Sequence, residues 1–273
     1  MTPVIDLDIP VTTVHKLHER LGFDLPLDYP RDSLAKSLTA WRMEVDDAPI
    51  LRYVYRNHRP RRHLEFGTWE GTGTVYCLTE SDATVWTINL LAGERGKDDL
   101  PAYYVRKRLR AAKEKKQAEA RTKEFRDSFG EAIAQGMPDT VETVASDAIG
   151  SIGRFYLEAG LGHRVNQIYC DSRDWDISNY PPGFFDSVLI DGGHTPDVVT
   201  SDTHKAISLL RPGGLCLWHD FCPHPEVLKS SPASLGVVGA IVQNWPMLTS
   251  RMRDIFWIQP SYILVGIRGE PQT

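Results

Sequence analysis

From residue 84 onward the apolar residues of this chain arrive in short runs, at 84–90, 165–171, 185–192, 214–220, 255–259 and 262–267, with one more before them at 63–67, and several of these are near-continuous. Such runs are short for helices, and their lack of polar alternation marks strands covered on both faces. Helix-forming stretches lie between them. After the run at 185–192, Val199, Ala206, Ile207 and Leu210 recur at helical spacing, and Arg211-Pro212-Gly213-Gly214 then reads as a turn. Strand, helix, turn, strand is the order of a parallel sheet with helices on its faces. The expectation is an α/β fold, doubly wound around a mostly parallel seven-stranded sheet.

Upstream, Asp47-Ala48-Pro49 reads as an N-cap followed by a first-turn proline, opening a helix through Ile50, Leu51, Val54 and Tyr55 that stops before Pro60. Residues 1–60 therefore read as a helical N-terminal cap, with Leu34, Leu38 and Trp41 on one face. Residues 61–273 read as the main domain. An insertion at 91–150 interrupts its alternation, and residues 104–129 are predicted to form a helix. Residues 106–126 hold ten basic and three acidic side chains, a local +7 that leaves −12 for the rest of the chain. This basic helix either simply faces water or acts as a lid beside a site.

The 273 residues, 41% hydrophobic and 25% charged, suit an ordinary globular protein and exclude a disordered or fibrous one. The net charge of −5 argues against general nucleic-acid binding. No apolar stretch approaches the roughly 18 residues that a membrane span needs, and the first residues carry no basic-then-apolar leader. Cys77, Cys170, Cys216 and Cys222 never form a CxxC pair, so neither a disulfide framework nor a structural zinc is expected. The expected location is the cytoplasm, with no nucleic-acid or membrane partner and with room for a homo-oligomer.

The first informative motif is Glu65-Phe66-Gly67-Thr68-Trp69-Glu70-Gly71-Thr72-Gly73, a strand end, a glycine turn and the start of a helix. Glycines let a ligand approach the backbone, and the first N–H groups of the helix offer donors. Dinucleotide binders want Gly-x-Gly-x-x-Gly, which this spacing lacks. Glu65 would repel a pyrophosphate but can bind the ammonium of an amino acid. A nucleoside joined to an amino acid, S-adenosylmethionine, meets both demands.

The second is Asp186-Ser187-Val188-Leu189-Ile190-Asp191-Gly192-Gly193-His194, followed by Asp202, by Arg211-Pro212-Gly213-Gly214 and by Trp218-His219-Asp220. In this order the motifs resemble the class I S-adenosylmethionine-dependent methyltransferases, and within them the small-molecule O-methyltransferases related to the macrocin O-methyltransferase and cephalosporin-hydroxylase group. The resemblance spans residues 60–270. It implies that Glu65, Gly67, Thr68, Gly71, Gly73, Asn89, Asp171, Ser172 and Asp191 bind the cofactor. Two positions depart from the pattern: Asn89 stands where an acidic residue usually meets the ribose, and His219 where glutamate is frequent.

In an open α/β sheet the ligand lies outside the carboxyl ends of the strands, so Gly67, Asn89, Asp171, Asp191 and Asp220 should converge. Asp191, His219 and Asp220 then offer oxygen and nitrogen donors to Mg²⁺ or another divalent cation. His194 can take a proton from an acceptor hydroxyl, with Asp191 beside it as the second catalytic residue. Plainer roles stay open: Asp191 as a turn residue, His194 as a helix cap, His219 as an orienter of Asp220. Asn179-Tyr180-Pro181-Pro182 looks like the loop of amino-methylating nucleic-acid enzymes, but its order is wrong and it precedes the strand. The expected activity is methyl transfer to a hydroxyl of a small metabolite, a sugar or natural-product scaffold. The alternatives are an NAD(P)-dependent oxidoreductase and a non-catalytic cofactor-binding partner.

Overall fold

A computed structural model describes residues 8–90 and 152–270. The basic insertion at 91–150, with its expected helix at 104–129, lies outside the described residues. The strands are β1 (Val11–Thr13), β2 (Arg62–Phe66), β3 (Thr84–Asn89), β4 (Val165–Tyr169), β5 (Phe185–Ile190), β6 (Leu210–Trp218), β7 (Met252–Gln259) and β8 (Ile263–Arg268). They form one sheet in the order β1-β7-β8-β6-β5-β2-β3-β4. Every neighbouring pair is parallel except those of β8, which runs against both β6 and β7. Only three residues separate β7 from β8, and a connection that short can join only antiparallel strands.

The described helices are α1 (Leu17–Leu21), α2 (Arg31–Leu34), α3 (Ala48–His58), α4 (Thr72–Glu80), α5 (Arg154–Glu158), α6 (Pro196–Leu209), α7 (Pro225–Ser230) and α8 (Pro232–Arg251). From β2 to β3 the chain steps one way across the sheet, and from β5 to β6 it steps the other. Crossovers of one hand then place α4 and α6 on opposite faces. α3 packs beside α4, and α8 beside α6. This double cover explains the continuous apolar runs: Leu215, Cys216, Leu217 and Trp218 of β6, and Val188, Leu189 and Ile190 of β5, are all buried.

Two expectations need correction. The sheet has eight strands, because residues 11–13 add β1 at one edge, in register with Trp257 to Gln259. Its single buried residue is Thr12, with Val11 and Thr13 facing out, so no apolar periodicity announces it. The first 60 residues are accordingly more than a helical cap: Ile9, Val14, Leu17 and Trp41 enter the same core as the sheet. Arg211 to Gly214, read as a turn, bulge out within β6. Phe185 pairs with Leu210 and Ser187 with Leu215, and Arg211 Nε donates to Asp186 Oδ1 (2.7 Å) to hold the excess residues.

Candidate active site

The register of the sheet builds the site. Phe66 pairs with both Ile88 and Ile190, and Ile190 with Trp218, so the residues that follow, Gly67, Asn89, Asp191 and His219, form the next row at the carboxyl ends. Three bonds extend the ladder into that row: Gly67 N to Ile88 O (2.9 Å), Asp191 N to Phe66 O (2.8 Å) and His219 N to Ile190 O (3.0 Å). Strand order reverses between β2 and β5, the place where an open sheet opens a crevice.

At β2 the glycine turn is braced from inside. Glu65 is buried, and its carboxylate accepts from the Thr74 hydroxyl and backbone N–H at the start of α4. Burial pushes its pKa up to about 8, with Thr74 and Thr87 pulling it back and Asp191 adding to the rise. Glu65 therefore underpins the turn and holds the N-terminus of α4. Gly73 is small because a Cβ there would strike the Glu65 carboxylate. Gly67, at φ +97°, has no room for a side chain either, because a Cβ there would enter the Asp191 carbonyl. Gly71 (φ +91°) precedes α4 and lies against Tyr156 and Gly153. Thr68 shares a bond with Thr87 (2.7 Å) and accepts from Gln167 Nε2 (2.9 Å). Asn89 Oδ1 accepts from the Trp69 backbone N–H (3.0 Å), which fixes the turn to the end of β3.

Beyond β4, Asp171 accepts from the backbone N–H, Nε and Nη2 of Arg173 at 3.0, 3.0 and 2.7 Å. Lys205 of α6 clamps the same loop by donating to the carbonyls of Ser172, Arg173 and Trp175. Beside it Asp202 is buried, and burial pushes its pKa up to about 7, with Ser172 and Lys205 opposing. Asp171 and Ser172 thus share an ordered loop at the end of β4, next to the β3 edge of the row.

The charged centre lies at the ends of β5 and β6. Asp191, 31% exposed at its side chain, meets His219 Nδ1 at 2.8 Å. His194, 38% exposed, puts Nε2 2.5 Å from Asp220 Oδ2 in an ion-pair contact without the angles of a good hydrogen bond. Asp220 is buried and takes a left-handed φ of +58°, a conformation that costs a non-glycine residue. Burial lowers the His194 pKa, but the Asp220 carboxylate more than offsets this and leaves it raised. His219, buried among carboxylates, is likewise pulled well above the usual imidazole value, by Asp191 first. One donor atom from each of Asp191, His219 and Asp220 lies within 4.8 Å of the other two. Of the residues named from the sequence, Asp191, His194, His219 and Asp220 come together, Gly67 touches them through Asp191, and Asp171 and Ser172 do not.

One member went unread. Asp47 is not an N-cap: it has helical backbone angles (φ −87°, ψ −23°) at the end of a π-helical turn, Met43–Asp47, and makes no cap bond to α3. Its carboxylate turns inward to Trp41 Nε1 (2.9 Å), Tyr262 N (3.2 Å) and His219 Nε2 (3.3 Å). An Asp before Ala-Pro carries the signal of a cap whichever way its side chain points, so local sequence could not reveal it.

With this geometry in place, the comparisons decide the family. Residues 64–221, more than half of the chain, match the family described as a methyltransferase domain. The chain belongs to it. No curated protein sequence matches. Among solved structures, the chain resembles an O-methyltransferase from Bacillus cereus in complex with SAH, at 17% identity and TM-score 0.48 over 97% of this chain and 95% of that one. It also resembles TomG from Streptomyces achromogenes, an O-methyltransferase of tomaymycin synthesis solved with SAM, at 14% identity and TM-score 0.47 over 97% and 93%. A provisionally assigned O-methyltransferase from Nostoc punctiforme matches at 9% identity and TM-score 0.50 over 83% of this chain and 57% of that one. At 9% identity the Nostoc punctiforme likeness speaks to the shared fold alone. No helix of the described residues is long and apolar enough to cross a membrane.

Proposed function

We propose that this methyltransferase uses S-adenosylmethionine to methylate a hydroxyl of a small metabolite, with a divalent cation held by Asp191, His219 and Asp220. The observation that carries the reading is the junction of two pairs, His194 with Asp220 and Asp191 with His219, beside a glycine turn at the switch point of the sheet. The cofactor, when bound, supplies an activated methyl group. The residues present fit it: the row at the carboxyl ends sets the turn at Gly67 to Gly71, Asn89 and the partly open Asp191 along one crevice.

For the acceptor, the arrangement provides a proton sink. Asp220 anchors Nε2 of His194, which leaves Nδ1 to take the hydroxyl proton. A cation on Asp191 and Asp220 would hold the acceptor oxygen and ease its ionisation. The buried, unpartnered Oδ1 of Asp220 supports a positively charged occupant. A sugar or natural-product scaffold is the acceptor class this polar centre suits.

Calorimetric titration tests the cofactor: S-adenosylmethionine should bind and NAD should not. Methyl transfer from labelled cofactor to a panel of hydroxylated acceptors then tests the reaction, and EDTA should inhibit it reversibly. Binding without transfer to any acceptor would favour a non-catalytic role.

A further inference from the structure

We propose that Asp47, contributed by the N-terminal segment, is the positioning residue that makes His219 a metal ligand. The inference rests on the divalent-cation reading above and concerns how the protein prepares the site. Two donors fix Asp47 Oδ1, Trp41 Nε1 at 2.9 Å and Tyr262 N at 3.2 Å. That leaves Oδ2 directed at His219 Nε2, 3.3 Å away. Both atoms are buried, and neither makes a hydrogen bond among the described residues, so their 3.3 Å approach is an ion-pair contact in which each is the other's nearest opposite charge.

An imidazole beside a buried carboxylate keeps a proton on the nitrogen that faces it and exposes its other nitrogen as a donor, as metal-ligating histidines do. Here the other nitrogen is Nδ1, 2.8 Å from Asp191 Oδ1. That contact is a hydrogen bond, and because donors at right angles around one ion, each about 2.1 Å from it, stand about 3 Å apart, the two atoms are spaced to become neighbouring ligands once a cation displaces the shared proton. Asp220 completes the set with an Oδ1 that is buried and unpartnered. One nitrogen beside two carboxylates selects Mn²⁺, Co²⁺ or Zn²⁺ over Mg²⁺.

Asp47→Asn is the discriminating change. The amide oxygen can still accept from Trp41 and Tyr262, which turns the NH₂ group toward His219 Nε2. That nitrogen must then accept, and the proton moves to Nδ1, where it blocks a metal. Tyr29→Phe is the control, because it removes a bond to the Asp46 carbonyl (2.6 Å) next door without touching the Asp47 carboxylate.

Mn²⁺ and Mg²⁺ are titrated into the metal-stripped full chain by calorimetry, and the His219 ring nitrogens are followed by ¹⁵N NMR. Wild type should bind Mn²⁺ more tightly than Mg²⁺. Asp47→Asn should lose about 10–100-fold in Mn²⁺ affinity and show the proton on Nδ1, whereas Tyr29→Phe should bind as wild type. Unchanged Mn²⁺ affinity and an unchanged ring signal in Asp47→Asn would overturn the role of Asp47 and leave the cation reading standing. Wild type that binds no Mn²⁺ would overturn both. Equal losses in Asp47→Asn and Tyr29→Phe would assign the effect to packing of the N-terminal segment and overturn the positioning role.

Discussion

His194 is the residue whose chemistry can be isolated most cleanly. Replaced by alanine, it should leave cofactor affinity in place and slow methyl transfer by about 10²–10⁴-fold, the usual worth of a positioned base. Because Asp220 holds its pKa above the ordinary value, the neutral form that accepts a proton is lost at higher pH than for a free imidazole, and kcat/KM should climb with pH through a midpoint above 6.5. A flat profile would remove the base. Glu65 tests the turn. Its folded pKa of about 8 exceeds the unfolded value near 4.5, so the neutral carboxyl favours the fold fully at low pH, and the contribution fades as pH rises from one value to the other. Glu65→Gln, permanently neutral, should flatten that decline, seen as a smaller drop in Tm across the interval. Sequence revealed these two unequally. His194 follows a strand end by four residues, and that position alone puts it in the crevice. Glu65 carried the acidic signature correctly, but nothing local says whether a strand-end carboxylate faces a ligand or the helix behind it.

At the scale of elements, the site depends on how closely backbones approach. A side chain at Gly67 would enter the Asp191 carbonyl, at a φ that L-residues avoid. Gly67→Val should therefore break the β2–β5 junction, costing about 3 kcal/mol or more, measured as a fall in Tm before any ligand is added. Gly236 of α8 is subtler, since a Cβ there would meet the carbonyl of His194 itself. Gly236→Ala should push the His194 loop and lower kcat on the order of 10²-fold while S-adenosylmethionine binds as before, read from single-turnover rates and calorimetry side by side. The ends of β5 and β6, at 188–190 and 215–218, were readable because burial on both faces leaves them continuously apolar. β1 was not, since its pairing rests on backbone bonds to β7, and backbone bonds leave no mark on composition.

For the whole molecule, the charged centre draws on distant parts of the chain. Asp47 comes before the first central strand, Asp191 and His219 end β5 and β6, and the backbone N–H that steadies Asp47 belongs to Tyr262, between β7 and β8. The NAD(P) alternative is excluded at this scale too, if S-adenosylmethionine raises Tm and NAD leaves it unchanged. The pairing of β1 with β7 joins residues 11–13 to 257–259. During synthesis an early edge of the sheet must wait, without its partner, until the residues at 257–259 have been made. A ribosome adding about 5–20 residues per second imposes a delay of roughly ten seconds or more, in which Val11 and its neighbours have no ladder to join. Contacts so remote in sequence also slow folding itself. The centre should thus be among the last parts of this sheet to form, so that a nascent chain stays inert until the β7–β8 hairpin closes.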